Sequence, residues 1–411
     1  MFSSRLPFDL TPNALAEVRA DLTAHGIRIR DLTLANPTRA GLRYPHDAIA
    51  AALSAGARSP YDPDPRGLSK TREAIAAYYA GDGRTVHTEC MHCTASTSEA
   101  YGMLLRMLCD PGDEICVAYP AYPLFSFLTA LESVRLRPYH LRRTPLGHWR
   151  ISFPSLEAAL SERTRAVVVV NPSNPAGSFL QSDELQRLDA LCAGHGIALI
   201  VDEVFFDYPL GEGTRARSAG TGGESLRFTL NGLSKILGLP QLKLAWILTE
   251  GPEDPRREAL ERLDVISDTY LSAATPVMDA AAALFTLREG LQRQIRQRCT
   301  RNLHVARQEL GDRLLEPEGG WNALIAFGEE ERSEHSRPLQ RKSSRQDRLA
   351  EGNVSAAEDE QRALRLLREQ HVLLHPGYLF DFPEGSWGVV SLLSEPSVFD
   401  DAVAHIAEFL R

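Results

Sequence analysis

Four short, largely apolar runs, each leading to a loop with polar or aromatic side chains, limit the fold most. They are Ile115-Cys116-Val117, Val167 to Val170, Leu199-Ile200-Val201 and Phe228-Thr229-Leu230. A strand with one wet face alternates apolar and polar residues, whereas a strand covered on both faces reads as a continuous apolar run. Strands are therefore expected at Glu114 to Ala118, Ala166 to Val170, Ala198 to Val201, Arg227 to Leu230 and Leu244 to Leu248. Helical spacing separates some of them, as in Ser182 to Ala193 and in Tyr101, Leu104, Leu105 and Leu108 after Ser96. Strands alternating with helices imply an α/β fold around a mostly parallel sheet.

On either side of this core the pattern changes. Thr11-Pro12 reads as a cap and first helical position for a helix over Asn13 to His25, closed by Gly26. A strand is expected at Asp31 to Asn36, a proline-rich loop at Tyr61 to Gly67 and a helix over Thr71 to Ala80. Beyond Ala274 come helical stretches at Pro276 to Arg288 and Leu291 to Leu310. A helix over Asp359 to Gln370, a strand at Val372 to His375 and a closing helix over Val398 to Leu410 follow. The expected division is an N-terminal segment 1–45 belonging to a small α+β domain, a large domain 46–274, and 275–411 completing the small domain. Residues 329–358 are charged, serine-rich and poor in apolar side chains, and read as an exposed insertion.

With 411 residues and 43% apolar content, the chain can bury cores for two domains. Its 45 basic and 54 acidic residues are well mixed and leave a net charge of -9, which argues against nucleic-acid or anionic-membrane partners. No apolar run reaches the length of a bilayer span. Met1 to Asp9 lacks the apolar core of a signal peptide, so a cytoplasmic protein is expected. Six cysteines are too few for a disulfide scaffold. Cys90 and Cys93, with His92 between them, lack the second pair that a zinc site requires, so no metal is expected.

The chemistry collects where the strands end, the place where ligands bind in open α/β sheets. After Val170 comes Asn171-Pro-Ser-Asn-Pro-Ala-Gly177; after Val201 comes Asp202-Glu203; after Val117 comes Tyr119-Pro-Ala-Tyr-Pro123. Ser96, Thr97 and Ser98 place hydroxyls and free N–H groups at a helix start, an anion site. After Leu230 the chain delivers Lys235 into apolar surroundings, although it has only four lysines in all. Desolvation lowers the pKa of an amine, and the neutral amine attacks carbonyls. Gly-Leu-Ser-Lys also occurs at Gly67 to Lys70, but there it opens a polar, helix-like run. Amine, carboxylate, amide, aromatic plate and oxyanion cradle together suit an aldehyde cofactor with an aromatic ring and a phosphate.

With these phrases, and with Pro240-Gln-Leu-Lys243 and His375-Pro-Gly377, the sequence resembles the fold-type I, pyridoxal-phosphate-dependent class I/II aminotransferases from about Leu32 to the C-terminus. The resemblance implies pyridoxal 5′-phosphate bound as a Schiff base to Lys235. It implies Asp202 at the pyridinium nitrogen, Asn174 at the phenolic oxygen and Tyr122 stacked on the ring. Ser96, Thr97, Ser98, Ser234 and Lys243 would hold the phosphate, and Tyr61 would reach it from the partner subunit of a homodimer. Lys235, Asp202 and Tyr122 are the expected catalytic set, acting on an amino donor and a keto acceptor.

Four positions depart from the family pattern. Phe205 stands where a tyrosine is usual, Ser96 where glycine is common, and Lys243 where an arginine is usual. Val389-Val390-Ser391 replaces Arg-Leu-Ser, so the arginine that clamps a substrate carboxylate is missing, with Arg39 and Arg43 as candidate substitutes. The leading expectation is an aminotransferase. A pyridoxal-phosphate-dependent lyase, decarboxylase or oxidase on an atypical substrate, or a non-catalytic cofactor-binding homologue, stays open beside it.

Overall fold

The computed structural model describes residues 2–5, 11–144, 147–328 and 354–411. In chain order the strands are β1 (Arg30–Asp31), β2 (Met91–Thr94), β3 (Glu114–Tyr119), β4 (Arg135–Arg143), β5 (Trp149–Ile151), β6 (Thr164–Val170) and β7 (Ala198–Asp202). They continue as β8 (Arg227–Gly232), β9 (Ala245–Glu250), β10 (Leu314–Leu315), β11 (Asn322–Ala326), β12 (Val372–Leu373), β13 (His375–Pro376) and β14 (Trp387–Ser391). The large sheet has the order β2-β9-β8-β7-β6-β3-β4-β5.

Strands β8, β7, β6, β3 and β4 are parallel neighbours, as the apolar runs imply. Strand β9 instead lies antiparallel between β8 and β2, and β5 closes the other edge antiparallel to β4. An apolar run does not reveal its direction. Between β8 and β9 stand only a four-residue helix, Leu233–Ile236, and the turn Pro240–Leu242, with no long crossover helix to carry the chain back.

Alternate residues of the central strands feed opposite layers. Val168, Ile200 and Phe228 pack with Leu104 and Leu263 on one face, and Val167, Leu199 and Val201 pack with Leu188 and Cys192 on the other. Each such side chain contributes about 1.5–3 kcal/mol on burial, which makes the sheet a rigid support for the loops at its carboxyl edge. The helix Thr275–Phe285 packs on His46–Gly56 and Ser69–Ala80, so this apolar layer runs past residue 274 as far as Leu291.

Both ends of the chain share a separate core. Leu15, Leu32, Leu303, Leu366, Val390 and Phe399 belong to one cluster, β1 pairs in parallel with β12, and β10-β11-β14-β13 form an antiparallel sheet. The expected strand from Asp31 to Asn36 is cut short. Asp31 Oδ1 accepts hydrogen bonds from the Thr33 N–H (2.8 Å) and hydroxyl (2.6 Å), which bends the chain there. Asn13, rather than Thr11, caps the first helix, accepting from the Ala16 N–H at 2.8 Å. The helix expected from Asp359 begins at Val354, and the rest of the anticipated insertion, 329–353, lies outside the described residues.

Gly177 marks where the two cores meet. Its φ is +72°, and a Cβ there would collide with Pro317. Gly177→Ala is therefore expected to destabilise the protein by about 1–3 kcal/mol through backbone strain and overpacking. Urea unfolding monitored by circular dichroism measures this, and an unchanged midpoint would contradict the packing described.

Candidate active site

Strands β7 and β8 lie side by side in parallel, so Asp202 at the end of β7 and the segment after β8 emerge on the same edge. The Asp202 carboxylate is buried. Its Oδ1 accepts from the Val204 N–H at 3.0 Å and its Oδ2 from the Tyr101 hydroxyl at 3.2 Å. Burial pushes its pKa up to about 6, against the downward pull of its hydrogen bonds and of Lys235. Strand alternation turns the next residue the other way. Glu203 enters a buried network in which it accepts from the Ser218 N–H (2.6 Å) and pairs with Arg217 (3.3 Å).

Lys235 is half-buried on the short helix after β8, and its carbonyl accepts from the Tyr208 hydroxyl at 2.5 Å. Its Nζ stands 5.3 Å from the Phe205 ring centre and 5.1 Å from that of Trp321. Those rings meet edge-on at 5.2 Å, and Tyr208 flanks Trp321 at 5.1 Å. Removal from water lowers the lysine's pKa, and the charge of Asp202 raises it. The second Gly-Leu-Ser-Lys behaves otherwise: Lys70 is exposed and paired with Asp279.

Around this pair the anticipated residues fall into two groups. Asn174 is half-buried in the turn after β6, and its Oδ1 accepts from Asn322 Nδ2 at 2.9 Å. Ser96 caps the helix Thr97–Leu108, accepting from the Glu99 N–H at 3.2 Å, while Glu99 accepts in return from the Ala95 N–H at 2.6 Å. Thr97 and Ser98 are half-buried in a first turn whose N–H groups have no partner within the helix. Ser234 is half-buried beside Lys235. Lys243 is exposed, in left-handed backbone just before β9. Tyr61 and Tyr122 stand open to solvent, 70% and 50% exposed.

Other residues at this site carried no recognised role in the sequence. Tyr101 counts there as an apolar position on a helix, yet its hydroxyl serves Asp202. Trp321 and Asn322 arrive from the small domain, and the Pro317-Glu-Gly-Gly-Trp321 phrase is the signal that could have found them. The Cys90–Cys93 pair is absorbed by packing. Both thiols are buried, and His92 Nε2 lies 2.8 Å from Asp264 Oδ1. Val389 is buried with Leu324, Trp149 and Phe380. Arg39 and Arg43 are exposed.

A profile of the family described as aminotransferase class I and II matches residues 34–406. The chain belongs to that family. Among curated relatives of this family member, a glutamate-pyruvate aminotransferase of Haemophilus influenzae is 26% identical over 63% of this chain and 64% of its own length. An alanine aminotransferase of Mycobacterium tuberculosis is 26% identical over 64% of this chain and 61% of its own length. The match thus spans less than two thirds of these relatives. The fold is shared along the whole chain with a Pyrococcus furiosus alanine aminotransferase (TM-score 0.83, 21% identity, 100% and 99% of the two chains covered). It is shared also with a Thermotoga maritima aspartate aminotransferase (TM-score 0.79, 20% identity, 100% of both chains covered). The cofactor of the family is pyridoxal 5′-phosphate.

The raised pKa of Asp202 predicts a pH dependence. Its value of about 6 lies above the ordinary 3.8, so the fold favours the neutral form. That stability is present below pH 3.8 and is lost as the pH rises through about 6. Relative to the wild type, cofactor-free Asp202→Asn is expected to gain about 2–3 kcal/mol between acidic and neutral pH. Urea unfolding at several pH values checks this, and a pH-independent difference would contradict it.

Proposed function

We propose that the protein is a pyridoxal-phosphate-dependent aminotransferase, moving an amino group between an amino acid or amine and a keto acid, with Lys235 as its reactive amine. The observation that carries this reading is the setting of Lys235, whose Nζ lies over two aromatic rings and is electrostatically coupled to the buried Asp202. The residues present fit the cofactor. A buried carboxyl shares its surroundings with an amine, an amide donor stands on the adjoining turn, and a capped helix offers unpaired N–H groups. The indole Nε1–H of Trp321 is buried with no hydrogen-bond partner among the described residues. When bound, pyridoxal phosphate supplies an aldehyde that captures amines and a ring that accepts electrons.

Each residue then has a role in the proposal. Lys235 Nζ, less basic than an exposed lysine, would take the proton from the substrate α-carbon and give it back at the carbon derived from the cofactor's aldehyde. Asp202 would face the ring nitrogen and favour its protonated form, and a cation there would relieve the cost of burying the carboxylate. Asn174 would donate to the phenolic oxygen. Ser98, Ser234, Lys243 and the first turn of Thr97–Leu108 hold the phosphate. Tyr122 covers one ring face, and Phe205 and Trp321 exclude water around Lys235.

We propose further that two copies associate. Tyr61 shares a cleft with Leu271 and Ser272, next to exposed Tyr270, and an aromatic surface of this kind suits an interface that would bring Tyr61 to the partner's site. A cytoplasmic location is supported by six free cysteines, and among the described residues no helix is long and apolar enough to cross a membrane.

One observation favours a second reading. At Val389, where the resemblance leads one to expect an arginine, the structure has a buried apolar cluster, which suits an atypical substrate or another outcome such as decarboxylation. The test separates the two. Purified protein should be yellow, borohydride should trap the cofactor on Lys235, and Lys235→Ala should lose turnover by at least about 10³-fold. Amino donors should bleach the visible band and leave pyridoxamine phosphate. Release of carbon dioxide or ammonia without pyridoxamine phosphate favours the second reading, and a colourless protein sinks both.

A further inference from the structure

We infer that Asn322 is a positioning residue that fixes, from the small domain, which end of the Asn174 amide faces the cofactor site. The inference rests on the reading of Asn174 as donor to the cofactor's phenolic oxygen. A primary amide carries an acceptor oxygen and a donor NH₂ group, and a half-turn about its last torsion exchanges them. Asn174 is half-buried in a turn, so its own backbone leaves that choice to its neighbours. Asn322 Nδ2 donates to Asn174 Oδ1 at 2.9 Å. With the oxygen engaged, Nδ2 is the end left to donate into the site.

Asn322 is itself held from both sides. It is the first residue of β11 and pairs with Ser391 of β14. The residues before it are tied to loops of the large domain: the Gly319 N–H donates to the Gly177 carbonyl (2.8 Å), the Gly320 N–H to Tyr208 (2.8 Å), and the Leu210 N–H to Glu318 (2.9 Å). Arg150 grips the Glu318 carboxylate with two hydrogen bonds, at 2.7 and 2.9 Å. Phe205 makes the orientation matter more. Its ring carries no hydroxyl, so nothing at that position can donate to the phenolic oxygen, and the duty falls on Asn174. A reversed amide would set its own oxygen against that oxygen.

Wild type, Asn174→Ala, Asn322→Ala and Asn322→Asp would be compared by two readouts. One is pyridoxal-phosphate affinity, from titration of cofactor-free protein. The other is the pH midpoint of the visible band of the holoprotein. A donor at the phenolic oxygen draws electron density from it and weakens its hold on the proton it shares, so losing the donor raises the midpoint. Asn174→Ala and Asn322→Ala are each expected to raise the midpoint and to weaken affinity by about fivefold. Asn322→Asp should do at least as much, because a carboxylate only accepts and would turn the Asn174 NH₂ away from the site. A midpoint unmoved in Asn174→Ala overturns the reading on which the inference rests. A midpoint moved by Asn174→Ala and unmoved by both Asn322 variants overturns the inference alone.

Discussion

A carboxylic acid and a primary amine are both drawn out of water within reach of each other's charge, and the rest of the site depends on their mutual electrostatics. Asp202 is raised by burial and Lys235 is lowered by it, while each charge moves the other the opposite way. Neither group tolerates this setting for the sake of packing, since apolar residues of similar size would be cheaper to bury. What keeps them there is a rigid platform. The parallel pair β7 and β8, buried along its length, brings two loop starts to the same level and leaves them little freedom.

The small domain is as much a part of the site as the sheet. Trp321 walls the amine and Asn322 grips Asn174, although both residues follow the last strand of the large sheet by more than a whole helical layer of sequence. Gly319 lets this segment run against its neighbours, and Gly320 lets it turn with a φ of +88°. A Cβ at Gly319 would lie 2.5 Å from the Phe179 ring. The site is thus closed by a peptide strap bonded to both bodies, and its geometry depends on the docking of the two cores.

Much of this was legible in the residues. The positions of β3, β6, β7, β8 and β9, the polar clusters at their ends and the burial of Lys235 against the exposure of Lys70 follow from apolar patterning and local context, which are short-range properties. That patterning did not pick out β2, β4, β5, β10, β11 and β14. The direction of β9 was not legible, because an apolar run looks the same from either end. The early end of β1 was missed because a side chain, Asp31, takes the Thr33 N–H that a strand would have used. Tyr101, Trp321 and Asn322 escaped for a different reason. Their roles arise from contacts with partners 101, 86 and 148 positions away, which local periodicity does not record.

The closeness of Trp321 to Lys235 also gives the molecule an internal lamp. Indole emission overlaps the absorption of a conjugated pyridine aldehyde, and transfer between them falls steeply with separation. At 5.1 Å from the nitrogen that would carry such a group, this indole would lose emission on filling of the site. A cofactor bound on Lys235 would thus leave its mark on the light of Trp321, without a label.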